Sequence, residues 1–279
     1  MHSLIELLQV AALPPMARVA RRTVKDADIV CEAVVRQLRK KSEQLTDEDY
    51  LKVERLDLSR TGFSNLQALT ALTRLKELYL HDTQASNLEP LKTLTSLREL
   101  RLSRTRVSNL HPVARLTNLQ KLWVDGTKAK DLEPLRNLTG LELLDLGYTS
   151  VTNIEPLQGL TNLKMLWLPA TQAHGLENLT NLTNLQSLYL WDTRVSDLEP
   201  LAALTNLQTL DLSRTKVDDL EPLRHLTSLR RLYLDGAPIT DVGPLVGLAR
   251  LQLLNLANMQ VQGLQPSEGP YQPEGDSPG

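Results

Sequence analysis

The chain has 279 residues, 41% of them hydrophobic and 23% charged, the balance of a soluble folded protein, and no apolar stretch reaches the length that spans a bilayer. A formal net charge of −2 and a pI near 6.2 offer no general attraction for nucleic acid or anionic lipid. The single cysteine, Cys31, excludes an intramolecular disulfide framework and any multi-cysteine metal site.

The first stretch, MHSLIELLQVAALPPMARVARR, has an apolar run that Glu6 interrupts and that basic residues follow instead of precede, which argues against a Sec signal peptide. The expected location is therefore cytoplasmic, with export by a non-Sec route as the alternative, and residues 1–16 are expected to be flexible. From 17 to 52, Ile29, Val30, Ala33, Val34 and Leu38 recur at helical spacing, and Thr46 followed by Asp49 opens a second short helix. The eight Lys or Arg between Arg18 and Lys41, against Asp26, Asp28 and Glu32, suit the solvated outer face of a structural cap better than a membrane-binding helix.

A pair of leucines, LxL, then begins at Leu56, Leu78, Leu100, Leu122, Leu144, Leu166, Leu188, Leu210, Leu232 and Leu254, always 22 residues apart. The unit reads LxLxxTxVxxLEPLxxLTNLxxL, clearest from Leu188 to Leu210. Its apolar columns, such as Leu78, Leu80, Ala85, Leu88, Leu91, Leu94 and Leu97, cannot be buried within one unit, so neighbouring units must stack and share a core. LxL alternates as a strand does, while EPLxxLTNL has helical spacing behind a proline suited to a first helical position.

Residues 53–264 are thus expected to form a solenoid of ten coils, a curved parallel sheet on the concave side and short helical or 3-10 segments on the convex side. The threonines from Thr61 to Thr215 fall where the chain leaves each strand, and their hydroxyls are expected to form a ladder satisfying turn backbone groups. That column ends at Ala237 and Met259, so regular packing should weaken toward the C-terminus. The last stretch, 265–279, is rich in Pro, Gly and Ser and is expected to be a disordered tail.

These motifs resemble the leucine-rich repeat family, and the PLxxLTNLxxLxL portion is similar to the 22-residue class of bacterial internalins. The resemblance covers about residues 53 to 264, with threonine where those relatives usually carry asparagine. It implies an α/β leucine-rich-repeat solenoid with an N-terminal helical cap, and it brings a secreted effector or adhesin binding a host protein into view as the alternative function.

Catalytic or metal chemistry has little support. His2, His81, His111, His174 and His225 fall at unrelated phases of the repeat, and the glutamate column Glu89, Glu133, Glu155, Glu177, Glu199 and Glu221 is a row across coils, whereas a calcium cage needs convergent oxygens. These carboxylates suit the amides at the start of a short helix. No enzyme, cofactor or metal is expected.

Specificity must therefore sit in the columns that change from coil to coil: the residue before LxL, the one between its leucines, and the two after it. They hold seven of the nine Trp and Tyr residues, including all three Trp. The candidate partner-binding residues are Tyr79, His81, Arg101, Trp123, Asp145, Tyr148, Trp167, Tyr189, Trp191, Asp192, Asp211 and Tyr233. Exposed Trp, Tyr and Arg among charges is the composition of a protein-binding hot spot. The expected function is a non-catalytic module or scaffold that is monomeric and grips a protein on its concave face. A peptide or glycan is a weaker variant of that reading, and nucleic acid is not expected.

Overall fold

The computed structural model describes residues 20–258. The expected flexible start at 1–16 and tail at 265–279 lie outside the described residues, as does Met259.

Ten three-residue strands follow one another: β1 (Arg55–Asp57), β2 (Glu77–Tyr79), β3 (Glu99–Arg101), β4 (Lys121–Trp123), β5 (Leu143–Asp145), β6 (Met165–Trp167), β7 (Ser187–Tyr189), β8 (Thr209–Asp211), β9 (Arg231–Tyr233) and β10 (Leu253–Asn255). They form one parallel sheet in chain order, each paired in register with the next coil, as Leu78 with Leu100 and Leu100 with Leu122. Each chain return passes through a 3-10 segment, for example Glu89–Thr93 or Glu199–Leu201, with proline in its first turn. Three to five residues are too few to nucleate an α-helix, and the tighter helix closes the return.

The repeated leucines form one continuous core that extends from Ala27 to Leu248, and most of them are fully buried. Leu254 departs from its column at 38% exposed, so the core does open at the last described coil.

The threonines do satisfy turn backbone groups, as expected, but each within its own coil and not as a ladder between coils. Every hydroxyl from Thr61 to Thr215 donates within its own turn, to the carbonyl three residues back, as Thr83 Oγ1 to Leu80 O at 2.7 Å. The bonds between coils come instead from the asparagine of LTNL: Asn118, Asn162, Asn184 and Asn206 each donate a side-chain N–H to a threonine carbonyl one coil back, at 2.9 Å. A hydroxyl reaches only its own turn, whereas the longer amide spans the gap between neighbouring coils.

The glutamate column also differs. The amide at its position donates to an Asn or Asp side chain two residues earlier: Asn87, Asn109, Asp131, Asn153, Asp197 or Asp219. The carboxylates turn to cations instead, as Glu89 to Lys92, Glu133 to Arg136 and Glu221 to Arg224. Gly175 occupies the capping position in one coil, at φ 80°, and there the turn is rebuilt around a lone bridge from Asn153 to His174.

At the N-terminal end, α1 (Ala20–Leu38) lays Ala27, Val30 and Val34 on the first coil. Asp26 is not part of a solvated face: it is buried and accepts hydrogen bonds from Ser64 N, Ser64 Oγ and Asn65 N, which fixes the helix to the coil. Thr46 precedes α2 (Asp47–Leu51), and its amide donates to Asp49 Oδ2 at 3.1 Å. Lys40 reaches the same carboxylate at 2.9 Å and ties the two helices together. These bonds from Lys40 and Thr46 hold the Asp49 carboxyl well below the usual carboxylate range.

Candidate binding face

With the leucines of LxL turned into the core, the residue between them faces outward on every strand. Because the strands pair in register, ten such residues form one row: Asp57, Tyr79, Arg101, Trp123, Asp145, Trp167, Tyr189, Asp211, Tyr233 and Asn255. A second row beside it carries His81, Asp125, Gly147, Pro169 and Trp191. The next position is a tight turn at which the backbone is left-handed in every coil, in eight of ten cases without glycine: Arg60, Asp82, Arg104, Tyr148, Ala170, Asp192, Arg214 and Asn258. That geometry pushes the side chain away from the sheet, and Tyr148 is 58% exposed there at φ 55°.

The first part of the row is packed upon itself. The Arg101 guanidinium sits between two rings, 4.7 Å from the Tyr79 centroid and 4.2 Å from that of Trp123, and Arg55 covers the Tyr79 ring at 4.8 Å. Arg101 also pairs with Glu99 at 2.8 Å, and Lys121 approaches the other oxygen of Glu99 at 3.4 Å. Burial alone would raise the Glu99 pKa, but the bonds from Arg101 and Tyr79 hold it below the usual range. Tyr79 is only 8% exposed, which corrects the expectation of an open ring, because the two arginines cover it. Burial, together with hydrogen bonds to Glu77 and Glu99, pushes its phenol above the usual tyrosine range. Asp82 is likewise engaged, by Arg104 at 2.7 Å. His81 lies half-buried beside these groups, its Nδ1 without a hydrogen-bond partner.

The second part is different. Trp167 and Tyr189 stack face to face, with centroids 5.0 Å apart and planes within 4°. Tyr148 meets Trp191 edge to face at 5.5 Å. Together with Asp125, Asp145, Asp211, Pro169 and Tyr233 they line an open depression of about 420 Å³. Among the described residues, Asp145 gains only the Gly147 amide as a donor, at 3.0 Å. Burial pushes its carboxyl up to about 6, with the Asp125 charge adding to the rise and the Gly147 bond opposing it. Asp125 accepts from Ser103 Oγ, and Asp211 from Ser213 N. None of these three carboxylates has a Lys or Arg nitrogen within 4 Å among the described residues. Asp192 is exposed at the rim.

Apart from Asp192 at the rim, the candidate residues fall into two groups on one face. Tyr79, His81, Arg101 and one face of Trp123 belong to the packed part, and Asp145, Tyr148, Trp167, Tyr189, Trp191, Asp211 and Tyr233 to the depression. Asp125 and Pro169 were not singled out, although their column marked them as variable. Nothing in the residue types foretold the pairing of Arg101 with Glu99, which stands two residues earlier. The remaining histidines are scattered: His111 opens a 3-10 segment, and His174 sits in the irregular turn.

A ten-strand parallel sheet whose strands return through 3-10 segments is a leucine-rich-repeat solenoid, and comparison with known proteins agrees. The family model described as Leucine Rich repeats (2 copies) matches residues 183–225. An internalin C2 (inlC2) from Listeria monocytogenes is 31% identical, with a TM-score of 0.68 over 81% of this chain and 92% of that one. An internalin (inlF) from the same organism is 28% identical, with a TM-score of 0.80 over 85% of this chain and 70% of the other. The plant peptide hormone receptor RGFR1 in complex with RGF2 shares the fold at 22% identity and a TM-score of 0.61, over 78% of this chain and 42% of that one. No curated protein matches the chain in sequence. The protein belongs to the leucine-rich repeat family, in its internalin-like class. No helix among the described residues is long and apolar enough to cross a membrane.

Proposed function

We propose that the chain is a non-catalytic recognition module, a monomeric cytoplasmic scaffold whose helical cap (17–52) and repeats (53–264) hold a protein-binding face in place. The observation that carries this reading is the open depression around the Trp167–Tyr189 stack and the Tyr148–Trp191 pair, where large rings stand beside aspartates that have no Lys or Arg nitrogen within 4 Å among the described residues. Side chains of this type supply most of the affinity when a partner covers them. A peptide is a smaller version of the same partner and a glycan a weaker one, while nucleic acid is disfavoured by the unpaired aspartates.

The test is recovery of partners on the wild-type chain and on a Trp123/Trp167/Trp191 triple alanine variant with unchanged circular dichroism. The reading expects partners to be lost from the variant, and it fails if a folded variant recovers the same ones. The likeness to two internalins favours a second reading, a secreted bacterial effector or adhesin that binds a host protein. Fractionation of the producing cells separates the two: protein outside the cell supports the effector, and retention in the cytosol the scaffold.

A further inference from the structure

The packed part of the row shows what this face does with a cation. Arg101 lies between Tyr79 and Trp123 with its guanidinium 4.7 and 4.2 Å from the two ring centroids, in a ring, guanidinium, ring order set by the register. Strands lie about 4.8 Å apart, so rings two strands apart leave a slot of roughly 9–10 Å between their centres, enough for one planar or ammonium group. The same order recurs twice further along with an aspartate in the middle: Trp123, Asp145, Trp167 and Tyr189, Asp211, Tyr233. In those two slots the floor is a carboxylate with no Lys or Arg nitrogen within 4 Å among the described residues; the chain's own Arg214 lies to the side, over the Trp191 ring at 5.9 Å.

Resting on the reading of this face as a protein-binding surface, we propose that the two ring–aspartate–ring slots each receive a lysine or arginine side chain of the partner, which would stand where Arg101 stands in the first slot. The slots are three strands apart, about 14 Å, close to the distance between residues four apart on one side of an extended segment. The partner element is therefore an extended basic segment with cationic side chains at i and i+4.

Each contact has a physical source. The incoming cation gains the ring faces and an ion pair with a carboxylate that no Lys or Arg nitrogen approaches within 4 Å among the described residues. Facing Asp145 on one side are Trp123 of β4 and Asp125 in the turn after it, and on the other the uncharged Trp167 of β6 and Pro169 in the turn after it; Lys121 of β4 is engaged with Glu99. The nearest formal charge thus repels an anion and attracts a cation. Burial already favours the protonated form of Asp145, so a cation must displace that proton, and binding should weaken as pH falls below about 6.

The test uses the whole chain and three nine-residue Ser/Thr/Val peptides: one with arginine at positions 3 and 7, one with citrulline there, and one with glutamate. Citrulline keeps the size and planarity of arginine and removes its charge. Intrinsic fluorescence is a direct readout, because two of the three tryptophans, Trp123 and Trp167, flank a slot. The expected result is saturable binding of the arginine peptide, at least tenfold weaker for citrulline and for glutamate. The Asp145→Asn/Asp211→Asn variant should lose at least tenfold for the arginine peptide. The affinity of the wild type should rise between pH 5 and 7, and Asp145→Asn should flatten that rise.

Equal binding of arginine and citrulline peptides, both abolished by Trp167→Ala/Trp191→Ala, overturns the cation slots and leaves the binding face standing. Binding unchanged by either set of variants overturns both. No binding of the arginine peptide at millimolar concentration overturns the slots alone.

Discussion

The two parts of the sheet face are built from the same residue types and do opposite things with them. Between β1 and β4, Arg55, Tyr79, Arg101 and Trp123 interleave with Glu77, Glu99 and Lys121, and each of these five charged side chains has an ion-pair partner within the chain. Between β5 and β9 the rings stack on one another, while Asp145 and Asp211 have no Lys or Arg nitrogen within 4 Å among the described residues. A row of rings and charges is therefore not by itself a binding site. It becomes one where carboxylates stand among open rings with no cation in contact, because the partner then supplies it.

Mutations can sharpen this contrast. The largest effect should come from the core and should be the same in both parts. Leu100→Ala and Leu188→Ala each empty a fully buried site and should cost about 2–5 kcal/mol in chemical denaturation. A marked difference between them would mean that the two parts differ in packing as well as surface chemistry.

Next comes Arg101→Ala, which uncovers two rings and leaves Glu99 with Lys121 as its remaining cation. It should cost roughly 1–3 kcal/mol of stability, with partner binding unchanged. Asp145→Asn should act in the opposite direction. The folded-state pKa of Asp145 is raised to about 6, so its contribution is fully present below pH 4 and is lost as pH rises through 6. The variant should therefore be more stable than the wild type at pH 7, by about 1–2 kcal/mol after allowance for partial exposure, and should remove that part of the pH dependence. Urea titrations at pH 4 and pH 7 measure both.

Tyr148→Gly should be the smallest. Relief of a left-handed backbone, worth about 1 kcal/mol, offsets loss of the edge contact with Trp191, so stability should change by less than about 1 kcal/mol while binding falls. A large loss of stability would show that Tyr148 is a structural residue.

The 22-residue period made the coil, the parallel order and the composition of the outward row legible, because in-register pairing turns a sequence column directly into a spatial one. The division of that row was not legible. Whether a ring is open depends on long side chains from neighbouring columns, and Arg55 and Arg101 bury Tyr79 from either side. The left-handed turn was hidden for a similar reason: only Gly126 and Gly236 announce it, and Arg, Asp, Ala, Tyr and Asn fill the other positions. The threonine and asparagine columns were both visible, but side-chain reach, which decides which of them bridges coils, is not written in their spacing.

The central claim is that recognition belongs to the face running from Trp123, at the end of β4, through β9, and not to the packed part around Tyr79 and Arg101. Partner recovery should be compared for two folded double variants, Tyr79→Phe/Arg101→Ala in the first part and Trp167→Ala/Trp191→Ala in the second. The account predicts that the first keeps the partners of the wild type and the second loses them. Equal loss in both, or loss in the first alone, would contradict it.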